Sequence, residues 1–352
     1  MALLDIDLGA LHLKNPVIAG SSEFTMTERG IKACIDAGAG AVVAKSINER
    51  PDAARQLDIA DYVLIDGDRT PVPWSDAATN YSLLNRSGLA QTPVDQWLDM
   101  LQRCNDYARS RDATLIGSIT VSEPEPAAAI AARMMEVVPC VEINLSAPHG
   151  REARAGAVRQ VCDPTTVGEF TSTVRASVDG PFIVKLTAQA NDPVDLAEHA
   201  VASGAPIVAM IGRFPAFLPS LDTGQPMLGS WAAIGGSWAL PISLYWVSKS
   251  HLALPAGTPI IGTNGARDGS DVLRFLLSGA SAVEMASAVL VRGPAALTDA
   301  VDEVASHVRV HGVGVTELIG AAARASRSYA QLLDDHQTTN PSEPPWQHFL
   351  DG

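Results

Sequence analysis

Short, uniformly apolar runs alternate with longer amphipathic ones along almost the whole chain. The runs at 16–19, 41–45, 114–119, 140–144, 182–185, 206–210, 259–262 and 282–285 are too short and too evenly apolar for strands with one wet face. They predict parallel strands buried on both sides. Between them, apolar residues recur at helical spacing over 27–37, 94–110, 125–137, 167–178, 193–203, 242–250, 268–278 and 294–311. About eight such units predict an α/β fold, a TIM (β/α)8 barrel. An open doubly wound sheet is the alternative that the same alternation allows.

Two connections break the rhythm. Stretches 47–92 and 211–237 are too long for tight turns and are rich in Pro, Gly, Asp and aromatic residues. Both leave strand C-termini, the end at which barrels build their active sites. The barrel is expected to occupy residues 1–333. Residues 334–352, with Asn340-Pro341 and Pro344-Pro345-Trp346, predict an extended C-terminal tail lying on the barrel or against a second subunit.

Composition narrows the function classes. With 47% hydrophobic and 18% charged residues the chain is a compact globule, and 352 residues allow a large core. The formal charge of -14 repels phosphate backbones and anionic bilayers, so neither nucleic acid nor membrane is expected as a partner. No run approaches the roughly 20 apolar residues of a spanning helix, and the N-terminus is acidic where a signal peptide is basic, which predicts a cytoplasmic protein. Cys34, Cys104, Cys140 and Cys162 are scattered without metal-site spacing. No metal is expected, and the thiols are expected to be reduced.

Candidate chemistry sits at the strand ends. Lys45 and Lys185 each close an apolar strand, where an amine is unfavourable unless it meets an anion or a binding site, so both should face the barrel mouth. Asn144 opens a polar turn after its strand and either points its amide at a ligand or caps its own loop. Asn85, in the first long connection, supports the same two readings. Two loops of small residues, Gly262-Thr263-Asn264-Gly265-Ala266 and Met285-Ala286-Ser287-Ala288, can turn backbone N–H groups toward an anion.

These segments together resemble the dihydroorotate dehydrogenase family, including the pyrimidine-reducing domain of dihydropyrimidine dehydrogenase. The likeness runs from Leu8-Gly9 to about His311. It is carried by Leu13-Lys14-Asn15-Pro16-Val17 with Gly20-Ser21-Ser22, Ala44-Lys45-Ser46, and Asn144-Leu145-Ser146-Ala147-Pro148-His149-Gly150. Val184-Lys185-Leu186, Ile234-Gly235-Gly236-Ser237, Pro259-Ile260-Ile261-Gly262-Thr263-Asn264-Gly265 and Ser278-Gly279-Ala280-Ser281-Ala282-Val283 complete it. The resemblance implies a place in pyrimidine metabolism and an FMN at the barrel mouth, contacted by Gly20, Ser21, Lys45, Asn144 and Lys185. Its phosphate is then expected on Gly235, Gly236, Asn264, Gly265, Ala286 and Ser287. A lysine beside the flavin edge that gains negative charge on reduction suits Lys185. Members of the family often pair barrel to barrel; the Trp346 tail suits such a homodimer or a place on its own barrel.

The chain departs from the family pattern where protons and substrate are handled. Family members carry a cysteine base either at the position of Ala147 or further along the same loop, where Gln160 stands here. His149 and Cys162 are the side chains expected to take over proton transfer, with an ordered water as a third choice. Where the family supplies an asparagine and a hydroxyl for pyrimidine amides, this chain has Gly212 and Arg213, followed by Phe214. Arg213 and Phe214, with Asn85 and Asn144, suit a small cyclic or carboxylate-bearing substrate. The expectation is an FMN-dependent oxidoreductase, its electron acceptor unspecified. An FMN oxidase or oxygenase, a uracil or thymine reductase, and a non-catalytic flavin-binding barrel are the alternatives.

Overall fold

The computed structural model of the chain describes residues 3–76, 81–147 and 161–336. His149 and Gln160 lie outside them. In chain order the strands are β1 (Ile6–Leu8), β2 (Leu11–Leu13), β3 (Val17–Ala19), β4 (Ala41–Val43), β5 (Asp61–Ile65), β6 (Ser82–Arg86) and β7 (Thr114–Thr120). They continue as β8 (Cys140–Asn144), β9 (Phe182–Lys185), β10 (Ile207–Met210), β11 (Phe214–Ala216), β12 (Ala232–Gly236), β13 (Ile260–Thr263) and β14 (Ala282–Met285). The helices used below are α1 (Glu28–Asp36), α2 (Pro51–Ala54), α3 (Val94–Arg109), α4 (Pro124–Met135), α5 (Pro164–Ser177), α6 (Pro193–Ala202), α7 (Leu240–Ala253) and α8 (Gly269–Ser278).

Strands β10-β13-β14-β3-β4-β7-β8-β9 close into a parallel barrel, the last edge sealed by β9 on β10. The fold is the expected TIM barrel, and closure excludes the open sheet. Every residue of β3, β4, β10, β13 and β14 is buried, which is why those segments carry no polar alternation. Helices cover the outside with one apolar stripe each; α3, for example, buries Trp97, Leu98, Leu101, Cys104 and Ala108.

Helix starts differ from apolar periodicity alone for a local reason. In α5, Asp163 accepts the Thr166 N–H at 2.8 Å and Pro164 takes the first helical position. The helix therefore begins three residues before its first core-facing valine, Val167. In α6, Asp192 does the same for Val194 at 2.9 Å, again followed by proline.

The two long connections are not loops. Each contributes a pair of strands to a second, antiparallel sheet in the order β11-β12-β6-β5. Leu84 and Ile234 face one another in an apolar cluster on one side of it. Leu83 and Asn85, two residues apart, share the opposite side, and Tyr62 lies directly across from Asn85. This sheet roofs the C-terminal end of the barrel.

At the C-terminus, a helix at Tyr329–His336 runs through residues 334–336, which corrects the extended arm expected to begin there; Asp334, Asp335 and His336 tolerate helix, and the prolines come only later. Cys34, Cys104 and Cys140 are buried, and burial pushes their thiols up, to about 12 for Cys34 and about 11 for Cys104, so they stay protonated. No helix among the described residues is long and apolar enough to cross a membrane.

Candidate active site

Between the barrel's C-terminal rim and the antiparallel sheet lies a cleft enclosing about 1150 Å³, open mouth included. The rim contributes Ser21, Lys45, Asn144, Lys185, Asn264, Gly265, Ala286 and Ser287, and the sheet region contributes Asn85, Arg213 and Gly235. Most of the residues singled out in the sequence therefore meet at one place.

Four do not line it. Gly20 lies just below, where a Cβ would sit 3.2 Å from Ala286 Cβ and 3.3 Å from the Glu284 carboxylate. Gly236 serves the backbone: at φ +141 and with a Cβ position 2.6 Å from the Tyr81 carbonyl, only glycine turns β12 into the next segment. Phe214 packs on Trp238, ring centroids 5.4 Å apart, and stays out of the cleft lining; in extended chain the residue after inward-facing Arg213 points the other way. Cys162 lines a separate surface pocket with Asp163, Gln189 and Asp192, which removes it as the cleft's proton carrier. His149 falls outside the described residues.

Lys45 lies just past β4, buried, and donates to Glu23 Oε1 at 2.8 Å. Burial pushes the Lys45 amine below the ordinary lysine range, with Glu23 opposing. Burial would raise the Glu23 carboxyl, but the Lys45 ammonium together with the Tyr62 hydroxyl and a backbone N–H holds it below the usual range. The Gly88 N–H also donates to Glu23, at 3.2 Å.

Lys185 ends β9 and reaches two carboxylates inside the barrel, one on the adjacent strand β8 and one on β14, which does not pair with β9. It donates to Glu142 of β8 at 3.2 Å and contacts Glu284 of β14. Burial works against its charge, yet the two carboxylates raise its pKa above the ordinary value. The Glu284 carboxyl is pushed up to about 8, by burial first and by Glu142 second. From Glu142 a chain of hydroxyls leads to the cleft: Ser118 donates to Glu142 at 3.1 Å, Ser118 and Ser46 are 2.8 Å apart, and Ser46 and Ser21 3.3 Å.

Among the described residues Arg213 is held by neutral partners only. Its guanidinium donates to Asn85 Oδ1 and, at 2.9 Å, to Ser87 Oγ, while Asn85 Nδ2 donates to the Leu83 carbonyl at 3.0 Å. Each end of the Asn85 amide thus makes a hydrogen bond, the oxygen to Arg213, while the residue borders the cleft. Burial pushes Arg213 below the ordinary arginine value. Among the described residues no carboxylate lies within ion-pair distance of it. Asn144 combines its two readings: Oδ1 accepts from Ser146 N–H at 2.9 Å and Ser146 Oγ at 2.7 Å, closing its own loop, while the residue still borders the cleft.

Sequence pattern alone does not single out Glu23, Tyr62, Glu142 or Glu284. The available signal for the last two was a lone glutamate within an apolar strand, in Cys140–Asn144 and Ala282–Met285, since a buried carboxylate demands a partner.

The sequence model of one family, described as dihydroorotate dehydrogenase, matches residues 3–308. The chain belongs to the dihydroorotate dehydrogenase family. It is similar to the catalytic subunit of dihydroorotate dehydrogenase B (NAD(+)) from Methanocaldococcus jannaschii, 26% identical over 91% of this chain and 98% of that one. The corresponding subunit from Thermococcus kodakarensis is 30% identical over 92% of this chain and 99% of its own length. Dihydroorotate dehydrogenases are flavin-dependent oxidoreductases that act on a CH–CH bond of a small molecule, and this chain is an enzyme of that type. The matched span takes in the whole barrel and both connections that build the roof over the cleft.

Proposed function

We propose that the chain binds FMN in this cleft and uses it to oxidise or reduce a small carboxylate-bearing substrate other than dihydroorotate. One observation carries the substrate class: Arg213 is a half-buried cation in the cleft wall with, among the described residues, only an amide and a hydroxyl as hydrogen-bond partners. A substrate carboxylate completes it with a paired, charge-assisted contact.

The lining fits the cofactor. One end of the cleft offers backbone and small side chains, Gly235, Asn264, Gly265, Ala286 and Ser287, with no acidic residue among them. Gly265 is required there: at φ +126 a Cβ would sit 2.6 Å from Leu240 Cα. The two carboxylates among the described residues that line the cleft, Glu23 and Glu284, are each matched by a lysine. Lys45, Lys185 and Arg213 outnumber them, which makes the cleft an anion-attracting spot on a chain of net charge -14. Gly235, Asn264, Gly265, Ala286 and Ser287 would hold the phosphate, and Lys45, Asn144 and Lys185 the ring.

When bound, FMN supplies a two-electron centre that exchanges hydride with a substrate carbon. The protein's own tasks are then to orient the substrate, exclude water and place charge. Arg213 fixes the carboxylate, and Asn85 and Ser87 fix Arg213. Lys185 sets a positive charge beside the ring edge that becomes negative. Ala147 lines the cleft, packed near Ala53 and Leu89, and has no proton to give.

Screening by anaerobic bleaching of the FMN-loaded protein tests this reading. Small saturated carboxylic acids are expected to bleach it faster than dihydroorotate does. Faster bleaching by dihydroorotate contradicts the altered substrate; a spectral response to uracil or thymine alone points to a pyrimidine reductase, and stoichiometric peroxide to an oxidase. Ala147→Cys is expected to add a limb to the kcat/KM profile of any accepted substrate, rising with pH through the thiol range near about 8.5, because a thiolate is the active base. A profile identical to wild type shows that the loop is not where proton transfer diverged.

A further inference from the structure

Glu142, Lys185 and Glu284 form a group that the proposed chemistry does not fully use. Two carboxylates share one ammonium, and both are almost completely buried, at 0% and 2% exposure. If both were ionised the group would carry a net charge of -1 in a dry interior, which is costly. Moreover, Glu284 Oε1 is buried and has no hydrogen-bond partner among the described residues. A carboxylate oxygen can only accept, so it cannot pair with the neighbouring Glu142 unless a proton lies between them. Placing one proton on Glu284 satisfies the orphaned atom, links the carboxyls and brings the group to neutrality.

We propose that Glu284 is a resident carboxylic acid of this cleft, holding one proton shared with Glu142, and that it adjusts the charge beside Lys185 when charge in the cleft changes. The groups facing Glu284 from the packed strands are Lys185 on β9 and Glu142 on β8; its register neighbours Ile18 on β3 and Thr263 on β13 do not titrate in the working range. Lys45, which also lines the cleft, interacts electrostatically with Lys185. Ser118, Ser46 and Ser21 connect the pair with the cleft.

The consequence toward FMN rests on the cofactor reading above. Electrons delivered by dithionite, or by the reduced substrate, leave negative charge near Lys185 and make the Glu284 proton harder to lose. Below the pH at which Glu284 ionises, the proton is present before and after reduction and nothing changes. Above it, two-electron reduction draws one further proton from solvent onto Glu284.

The test has an arm that needs no flavin. A carboxyl whose pKa is raised on folding stabilises the fold below its unfolded value, roughly 4.3, and that stability is lost as the pH rises through the folded value, about 8. Denaturant unfolding of the protein without added flavin is therefore expected to show wild type falling behind Glu284→Gln between about pH 5 and 8. The fall is up to tenfold in the folding constant per pH unit, and the gap is level above. Parallel curves overturn the proposal. Should Glu284→Gln not fold, the wild-type infrared band of a protonated carboxyl serves alone: its loss near pH 8 supports the proposal, and its absence at pH 6 overturns it. On FMN-loaded protein, dithionite titration from pH 6 to 10 should give reduction potentials that fall more steeply with pH in wild type than in Glu284→Gln above about pH 8. Equal slopes overturn the coupling. A protein that takes up no FMN but shows the stability difference upholds the shared proton and refutes only the cofactor reading.

Discussion

Lys185→Met is expected to be the most damaging single substitution in the cleft, destabilising the fold by about 3–5 kcal/mol near pH 8. Methionine matches the volume of the lysine stem, so packing is preserved and the loss is electrostatic. What remains is Glu142 at 3.2 Å from the vanished ammonium and Glu284 beside it, two buried carboxyls with no cation. The penalty shrinks as the pH falls toward 5, because Glu284, whose carboxyl is pushed up to about 8, then carries a proton and one buried charge fewer remains. Lys185 itself, with a raised pKa, stays charged throughout that range and adds no pH dependence of its own. Denaturant unfolding of wild type and variant at pH 5 and pH 8 measures this. A loss below about 1 kcal/mol at both values would show that the three groups are not the coupled unit described here.

Arg213→Met is expected to behave in the opposite way, sparing the fold and losing the substrate. Among the described residues its guanidinium has no carboxylate within ion-pair distance to leave stranded, and water in the open cleft can replace it at Asn85 Oδ1 and Ser87 Oγ. Stability should change by about 1 kcal/mol or less. Affinity for a carboxylate substrate should fall by about 2–5 kcal/mol, a factor between about thirty and a few thousand. The corresponding amide, which never had the charge, should bind both proteins alike. Substrate titration of the bound flavin spectrum reads both numbers. Equal weakening of acid and amide would assign Arg213 a structural role and remove the argument for a carboxylate.

The barrel was legible because its strands are buried on both faces: segments such as Phe182–Lys185 and Ile260–Thr263 have no alternative to a parallel sheet covered by helices. The lysines were legible for the converse reason, as charges at the ends of such strands. The roof over the cleft was not. Its strands are short and separated by turns, with the edge strands β5 and β11 part-exposed, and the pairing of Tyr62 with Asn85, or of Leu83 with Gly235, is fixed only once the barrel brings two distant connections together. Glu142 and Glu284 were hidden by proximity of another kind, since 142 residues separate partners that share one lysine. The directions of Phe214 and Cys162 depended on which face of the chain turns inward, a matter of register that composition does not record.

The account stands on FMN in the cleft, and an absorbance spectrum of the purified protein, with mass analysis of whatever heat releases, tests it most directly. A flavin spectrum and released FMN, or uptake of added FMN by the colourless protein, is the predicted result. A protein that stays colourless with FMN in excess would contradict it, and would leave Gly265, Ala286 and Ser287 as turns of a barrel that does other chemistry.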